Sequence, residues 1–316
     1  MRIDPIKLSP AFKDYLWGGV RLKTEFHKNS DLVPLAESWE LSAHKDGQSV
    51  VCGGEYDSMT LTAYLEAVGR DALGENCRKY DYFPLLIKLI DAKGDLSVQV
   101  HPSDAYALEK EGEYGKTEMW YILDCEPGAC LYYGFARDVS REEYRSAIAE
   151  GKLTELLNRV EVKRGDVFFI PAGTVHTIGA GILICEIQQN SNTTYRVYDY
   201  MRRDKDGNLR PLHVEKAIDV SCLSRSPALP EIGDGDDELL ASCQYFTVRR
   251  LRMHGAGVIK AGKDSFRSLM VTEGEGVLQY EGGELSFGKG DSILIPAQDG
   301  EFQISGECEL IQSTVN

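Results

Sequence analysis

One phrase occurs twice in this chain, and it limits the folds open to it. Lys163-Arg164-Gly165-Asp166-Val167-Phe168-Phe169-Ile170-Pro171-Ala172 matches Gly288-Lys289-Gly290-Asp291-Ser292-Ile293-Leu294-Ile295-Pro296-Ala297 near the end. In each copy Gly-Asp reads as a turn and the next residues as a buried strand, which Pro ends because it has no N–H for a ladder. The repeat predicts a duplicated β unit. The copies then diverge into Gly173-Thr174-Val175-His176 and Gln298-Asp299-Gly300-Glu301, so only the first keeps a histidine there.

The rest of the chain agrees with a mainly β protein. Short segments rich in β-branched and aromatic residues are expected as strands at Leu96 to Val100, Met119 to Leu123, Val167 to Ile170, Ile182 to Ile187 and Val197 to Tyr200. Beyond about residue 225 the pattern is almost purely β, with Ser268 to Val271 and Gly276 to Tyr280 among the separate strands. Helices are expected over Leu61 to Val68 after Ser58-Met59-Thr60, over Tyr144 to Leu157 after a Ser140/Glu143 capping box, and over Leu212 to Val220 opened by Pro211. With 316 residues and about 150 residues per domain, roughly two domains fit. Ser224 to Glu238, with prolines, glycines and acids but no apolar period, marks the boundary. The predicted division is residues 1–225, carrying helical insertions at about 58–75, 102–111, 138–158 and 211–220, and residues 226–316.

Charge and cysteine usage exclude several classes. Lys+Arg 35 against Asp+Glu 50 gives a net charge of -15, which repels nucleic acid and anionic membrane surfaces but not a small anion in its own pocket. No apolar run approaches the roughly 20 residues of a membrane span, and the opening Met1-Arg2-Ile3-Asp4-Pro5 starts no signal peptide. A cytoplasmic location follows as the expectation. The scattered Cys52, Cys77, Cys125, Cys130, Cys185, Cys222, Cys243 and Cys308 show no framework spacing and read as reduced, mostly buried thiols.

Alternation puts Ser97, Gln99 and His101 on one strand face, opposite Val98 and Val100. Glu118 leads into the apolar Met119-Trp120-Tyr121-Ile122-Leu123, where an acid must be exposed, paired or metal-bound. The spacing Gly165, Pro171, Gly173, His176 fits the second metal-binding motif of the cupin superfamily, and Gln99-Val100-His101 with Glu118 resembles the first, Gln replacing its first His. The resemblance implies jelly-roll barrels with Gln99, His101, Glu118 and His176 converging inside the first. Two imidazoles, a carboxylate and an amide oxygen suit catalytic Zn²⁺.

A narrower resemblance follows from longer blocks. Gln99-Val100-His101-Pro102, Gly115 to Tyr121, Ile170 to His176 and Glu186 to Tyr200 are similar to the short bacterial form of the type I mannose-6-phosphate isomerase (phosphomannose isomerase) family. Trp17-Gly18-Gly19 and Ala36-Glu37-Ser38-Trp39-Glu40 also fit, so the likeness runs from about residue 8 to 220. It implies one zinc ion per subunit on Gln99, His101, Glu118 and His176, and carries catalytic roles to Lys116, Glu186 and Arg196. It also implies interconversion of mannose 6-phosphate and fructose 6-phosphate through a cis-enediol. Substrate contacts are expected from Trp17 and Glu37, and from Lys88, a charge in the apolar Pro84-Leu85-Leu86-Ile87-Lys88-Leu89-Ile90. Arg196, Arg202, Arg203, Lys205, Arg210 and Lys216 add local positive charge for a phosphosugar. Where longer relatives read Asp-Trp-Gly this chain has Leu16-Trp17-Gly18, and their helical insert is reduced to residues 138 to 158. Two alternatives stay open on the residues alone, a metal-dependent cupin dioxygenase and a non-catalytic sugar-binding cupin. The oligomeric state is open as well.

Overall fold

Both copies of the repeated phrase fold alike in a computed structural model that describes residues 3–203 and 207–316. Gly165 and Gly290 adopt φ of 89° and 94°, a left-handed turn conformation in which a side chain is strained. The Asp166 carboxylate accepts from the Lys163 N–H at 2.9 Å and the Asp291 carboxylate from the Gly288 N–H at 2.8 Å. The glycine N–H groups donate at 2.9 Å to the carbonyls of Ile122 and Val271 respectively. Strands Val167–Ile170 and Ser292–Ile295 then run antiparallel to Glu118–Cys125 and Arg267–Tyr280, with Ile170 opposite Glu118 and Ile295 opposite Arg267.

The contacts divide the chain into two units that are not contiguous in sequence: residues 15–19 with 90–230, and residues 1–14 and 20–89 with 231–316. The composition of the linker marked a single cut after residue 225. Strand pairing accounts for the different cut. The N-terminal strand Ile6–Ser9 adds to Ser292–Ile295, with Ile6 opposite Leu294, and also pairs with Val50–Cys52. The buried Lys28 ammonium donates to Glu40 at 2.7 Å and to the Gly290 carbonyl at 2.5 Å, binding residues 20–89 to the second copy of the turn. Burial pushes the Glu40 carboxyl above its ordinary range, and Lys28 and Ser38 oppose that rise.

In the unit of residues 90–230, one sheet has the order Leu157–Glu161, Cys130–Phe135, His176–Thr177, Val98–Val100, Tyr195–Tyr198, and Glu118–Cys125 lies between Val167–Ile170 and Ile182–Gln189. Val98, Val100, Phe135, Tyr144, Val175, Tyr195, Val197 and Ile218 form one buried cluster. At the roughly 2 kcal/mol that burying one such side chain contributes, this cluster fixes which face of the short Val98–Val100 strand turns outward.

The helices are few. Thr60 caps Leu61–Val68 by accepting from the Ala63 N–H at 3.3 Å. Ser140 caps Arg141–Ala149 through the Glu143 N–H at 3.1 Å, but the Glu143 carboxylate pairs with Arg137 rather than returning to Ser140, so the box is half formed. The expected run to Leu157 breaks after Ala149 into a short 3₁₀ turn at Leu153–Glu155. Asp104–Lys110 fills the 102–111 insertion, and the helix expected from Leu212 starts two residues later, as Val214–Val220. Among the described residues no helix is long and apolar enough to cross a membrane.

Candidate metal centre

Because Val98 and Val100 are claimed by the core, Gln99 faces the other way. His176 lies directly opposite Gln99 on one neighbouring strand and Arg196 directly opposite it on the other. Residues directly opposite share a face, so three adjacent strands present His176, Gln99 and Arg196 in a row. In the second layer Glu118 lies opposite Gln188 and Trp120 opposite Glu186, which puts all four on one face by the two-residue period.

Each histidine is aimed by a backbone carbonyl. Nδ1 of His101 lies 2.9 Å from the Thr193 carbonyl and Nδ1 of His176 lies 2.9 Å from the Thr174 carbonyl. A carbonyl only accepts, so both rings carry their proton on Nδ1 and offer the Nε2 lone pair. Nε2 of His176 is 3.3 Å from one Glu118 oxygen, and Nε2 of His101 is 3.7 Å from the other. The ligating atoms of the three buried residues all lie within 4.8 Å of one another. The Gln99 amide nitrogen is 3.4 Å from His176 Nε2. A half-turn of that amide, which needs no extra space, aims its oxygen at the same point.

Burial, followed by the nearby Lys116 charge, pushes the His176 imidazole down to about 3, so it is neutral and able to donate its lone pair at any ordinary pH. The edge of Trp120 packs against its ring, with centroids 5.2 Å apart. The donor set passes the test for a divalent cation. Lys116 places its ammonium 3.1 Å from His101 Nε2 and bonds to Glu118, so a positive charge already sits where the donors converge. Glu186 closes the group, 3.7 Å from that ammonium, and accepts from the Trp120 indole N–H at 3.0 Å.

The structure thus gathers Gln99, His101, Glu118, His176, Lys116 and Glu186. Arg196 sits one strand from Gln99, and its Nε donates to Ser97 Oγ at 3.3 Å. Trp17 belongs to the same unit, where it is buried, packs against Tyr15 and accepts the Gly94 N–H at 2.9 Å. Glu37 and Lys88 fall in the other unit. There Lys88 lies 3.6 Å from Glu37 and 5.0 Å from the centre of the Trp39 ring, while the Trp39 indole donates to Glu37 at 2.6 Å. The cationic interval is mostly neutralised locally: Arg210 bonds Asp199 at 2.7 Å, Arg202 bonds the same carboxylate at 3.1 Å, and Lys216 bonds Glu111 at 2.6 Å. Arg203 donates to the Gly207 carbonyl. Asp204, Lys205 and Asp206 of that interval lie outside the described residues. The cysteines are free, but only Cys77, Cys185 and Cys308 are buried, and Cys52 and Cys222 are exposed, which corrects the expectation of mostly buried thiols.

Sequence reasoning missed the carbonyls of Thr174 and Thr193 and the indole of Trp120. Backbone acceptors leave no trace in residue type, and Trp120 reads equally well as core.

Two imidazoles and a carboxylate buried between the β layers of a cupin fold form a group that could hold a metal ion. Residues 6–122 match the phosphomannose isomerase type I catalytic domain, and residues 237–315 match the mannose-6-phosphate isomerase cupin domain. The chain is 42% identical to the mannose-6-phosphate isomerase ManA of Bacillus subtilis over 99% of both chains, and 39% identical to the mannose-6-phosphate isomerase of Streptococcus mutans over 99% of both. The crystal structure of the mannose 6-phosphate isomerase from Bacillus subtilis superposes with a TM-score of 0.91 at 38% identity, covering 98% of this chain and 99% of that one. The chain belongs to the type I mannose-6-phosphate isomerase family.

Proposed function

We propose that this protein interconverts mannose 6-phosphate and fructose 6-phosphate by moving a proton between C1 and C2 through a cis-enediol, at a zinc site formed by Gln99, His101, Glu118 and His176. The observation that carries this reading is the convergence of His101, Glu118 and His176 within 4.8 Å, bordered by Lys116 and Glu186. Zinc held there supplies a Lewis acid for the sugar oxygens on which charge develops.

The remaining work falls to side chains of this chain. Glu186 is a carboxylate held in place by the Trp120 N–H, and it takes the carbon-bound proton and returns it to the neighbouring carbon, while the hydroxyl proton passes from O2 to O1 in the ketose direction and back in the aldose direction. Lys116, bonded to Glu118, keeps an ammonium beside both carboxylates and offers N–H donors to an oxygen that becomes negative. Arg196 aims a permanently charged fork along the face of Gln99 and His176, where it holds the enediolate. His101, Lys116, Glu118, His176 and Glu186 are all buried, which limits the water that surrounds that intermediate.

In this reading catalysis belongs to the cupin of residues 90–230, and the C-terminal cupin is a ligand-free copy. Trp17, which lies in the same unit as the metal cluster, is assigned to the substrate. A free phosphosugar and an acidic, membrane-avoiding chain fit a cytoplasmic reaction. Formation of fructose 6-phosphate from mannose 6-phosphate by the purified protein, in the absence of oxygen, tests the reading. Failure to convert mannose 6-phosphate with metal restored would refute it.

A further inference from the structure

The stretch before the last helix of the catalytic unit grips Arg196 at three points. The His213 N–H donates to the Arg196 carbonyl at 2.8 Å, and the Arg196 N–H donates to His213 Nδ1 at 3.2 Å. The Pro211 carbonyl accepts from the Arg196 guanidinium at 3.2 Å. This grip accounts for the helix expected at Leu212 beginning only at Val214: the Pro211 carbonyl and the His213 N–H are committed to Arg196. It also falls at a weak place in the sheet. Pairing of the Tyr195–Tyr198 strand with Val98–Val100 shifts register between Arg196 and Tyr198, so the regular ladder is interrupted immediately after Arg196.

We propose that His213 is a positioning residue for the isomerisation, closing a two-bond bracket on the main chain of Arg196 so that its guanidinium stays along the face carrying Gln99 and His176. The inference rests on the assignment of Arg196 to catalysis. A ring nitrogen that accepts from a backbone N–H must be unprotonated, so the bracket exists only with a neutral His213 protonated on Nε2. The surroundings favour that form. Burial, then the Arg196 and Lys216 charges, hold the imidazole below its ordinary range, against a weaker opposing pull from Glu111. Protonation would remove the acceptor and set a second positive charge against Arg196.

The test is steady-state kinetics on His213→Ala, His213→Asn and His213→Gln, with metal content measured in each. Asparagine can place its amide oxygen where Nδ1 lies, whereas glutamine carries it one atom too far. The Ala and Gln variants are expected to lose about tenfold in kcat, the scale of one hydrogen bond, with KM within about twofold and metal content unchanged. The Asn variant is expected to stay within about threefold of wild type. In an Arg196→Ala background, His213→Gln is expected to cost nothing further, because two residues acting through one group are not additive. Wild-type kcat in His213→Gln, equal losses in the Asn and Gln variants, or a full tenfold loss persisting without Arg196 would each overturn the proposal. Wild-type turnover by Arg196→Ala alone would instead remove the catalytic assignment beneath it.

Discussion

The two copies of the turn-and-strand phrase share their backbone hydrogen bonds and differ in what their side chains carry. Aligned on the glycine, Glu118 of the first copy corresponds to Arg267 of the second, since each lies opposite the last strand residue, Ile170 or Ile295. Trp120 corresponds to Leu269, and its partner Glu186 to Gln312. His176, eleven residues past Gly165, corresponds to Glu301, eleven past Gly290. The Arg267 guanidinium is occupied by the Ser265 carbonyl at 2.7 Å and by Asp264 at 3.2 Å. The glycine-aspartate turn and the strand behind it therefore specify a fold, whereas the candidate metal site is a separable set of side chains placed on it.

This difference can be broken from either side. The largest effect is expected from Glu118→Gln, which removes the carboxylate from the ligand set: metal analysis should show loss of the ion, and turnover of mannose 6-phosphate should fall by at least ~1000-fold, the several kcal/mol of a lost Lewis acid. Next comes Arg196→Ala, expected to lower kcat by at least ~100-fold while metal content stays intact, the usual size for one transition-state donor. Trp120→Phe keeps an aromatic ring, though a smaller one, but removes the N–H that holds Glu186 at 3.0 Å, and kcat is expected to drop about tenfold at unchanged metal content.

The turns themselves give a stability comparison. Gly165→Ala strains a positive φ in open space and should cost about 1 kcal/mol in denaturant unfolding. Gly290→Ala adds a collision with the Phe26 carbonyl and should cost about 3 kcal/mol, so the copy without ligands should be the less tolerant of the two at this turn. The smallest effect is expected from Glu301→Ala, where the second copy has no site to lose; kcat should remain within about twofold of wild type.

Much of the site was legible because its side chains follow simple periods. Alternation alone turned Gln99 and His101 away from Val98 and Val100, and the glycine-proline spacing located His176 after the turn. What supports those ligands was not legible. The carbonyls of Thr174 and Thr193 could belong to any residue type, and the grip of residues 211–213 on Arg196 overrode the helix signal of Pro211. Partner choice was hidden in the same way. Nothing in the pattern around Ile6–Ser9 shows that it joins Ser292–Ile295, so the contact division escapes a linear reading. Ser268 to Val271 and Gly276 to Tyr280 read as two strands, yet they form the single strand Arg267–Tyr280 with a register shift between Val271 and Glu273. Glycine near a bulge and glycine in a turn leave the same mark in a sequence.

The central claim is that His101, Glu118 and His176, with Gln99, hold a catalytic zinc ion in the first copy alone. Metal analysis combined with mannose 6-phosphate turnover before chelation, after it, and after zinc is returned tests it most directly. About one zinc ion per chain is expected, with activity lost when the ion is removed and restored when it is returned. Full turnover in metal-free protein, or a second equivalent bound by the C-terminal copy, would contradict it.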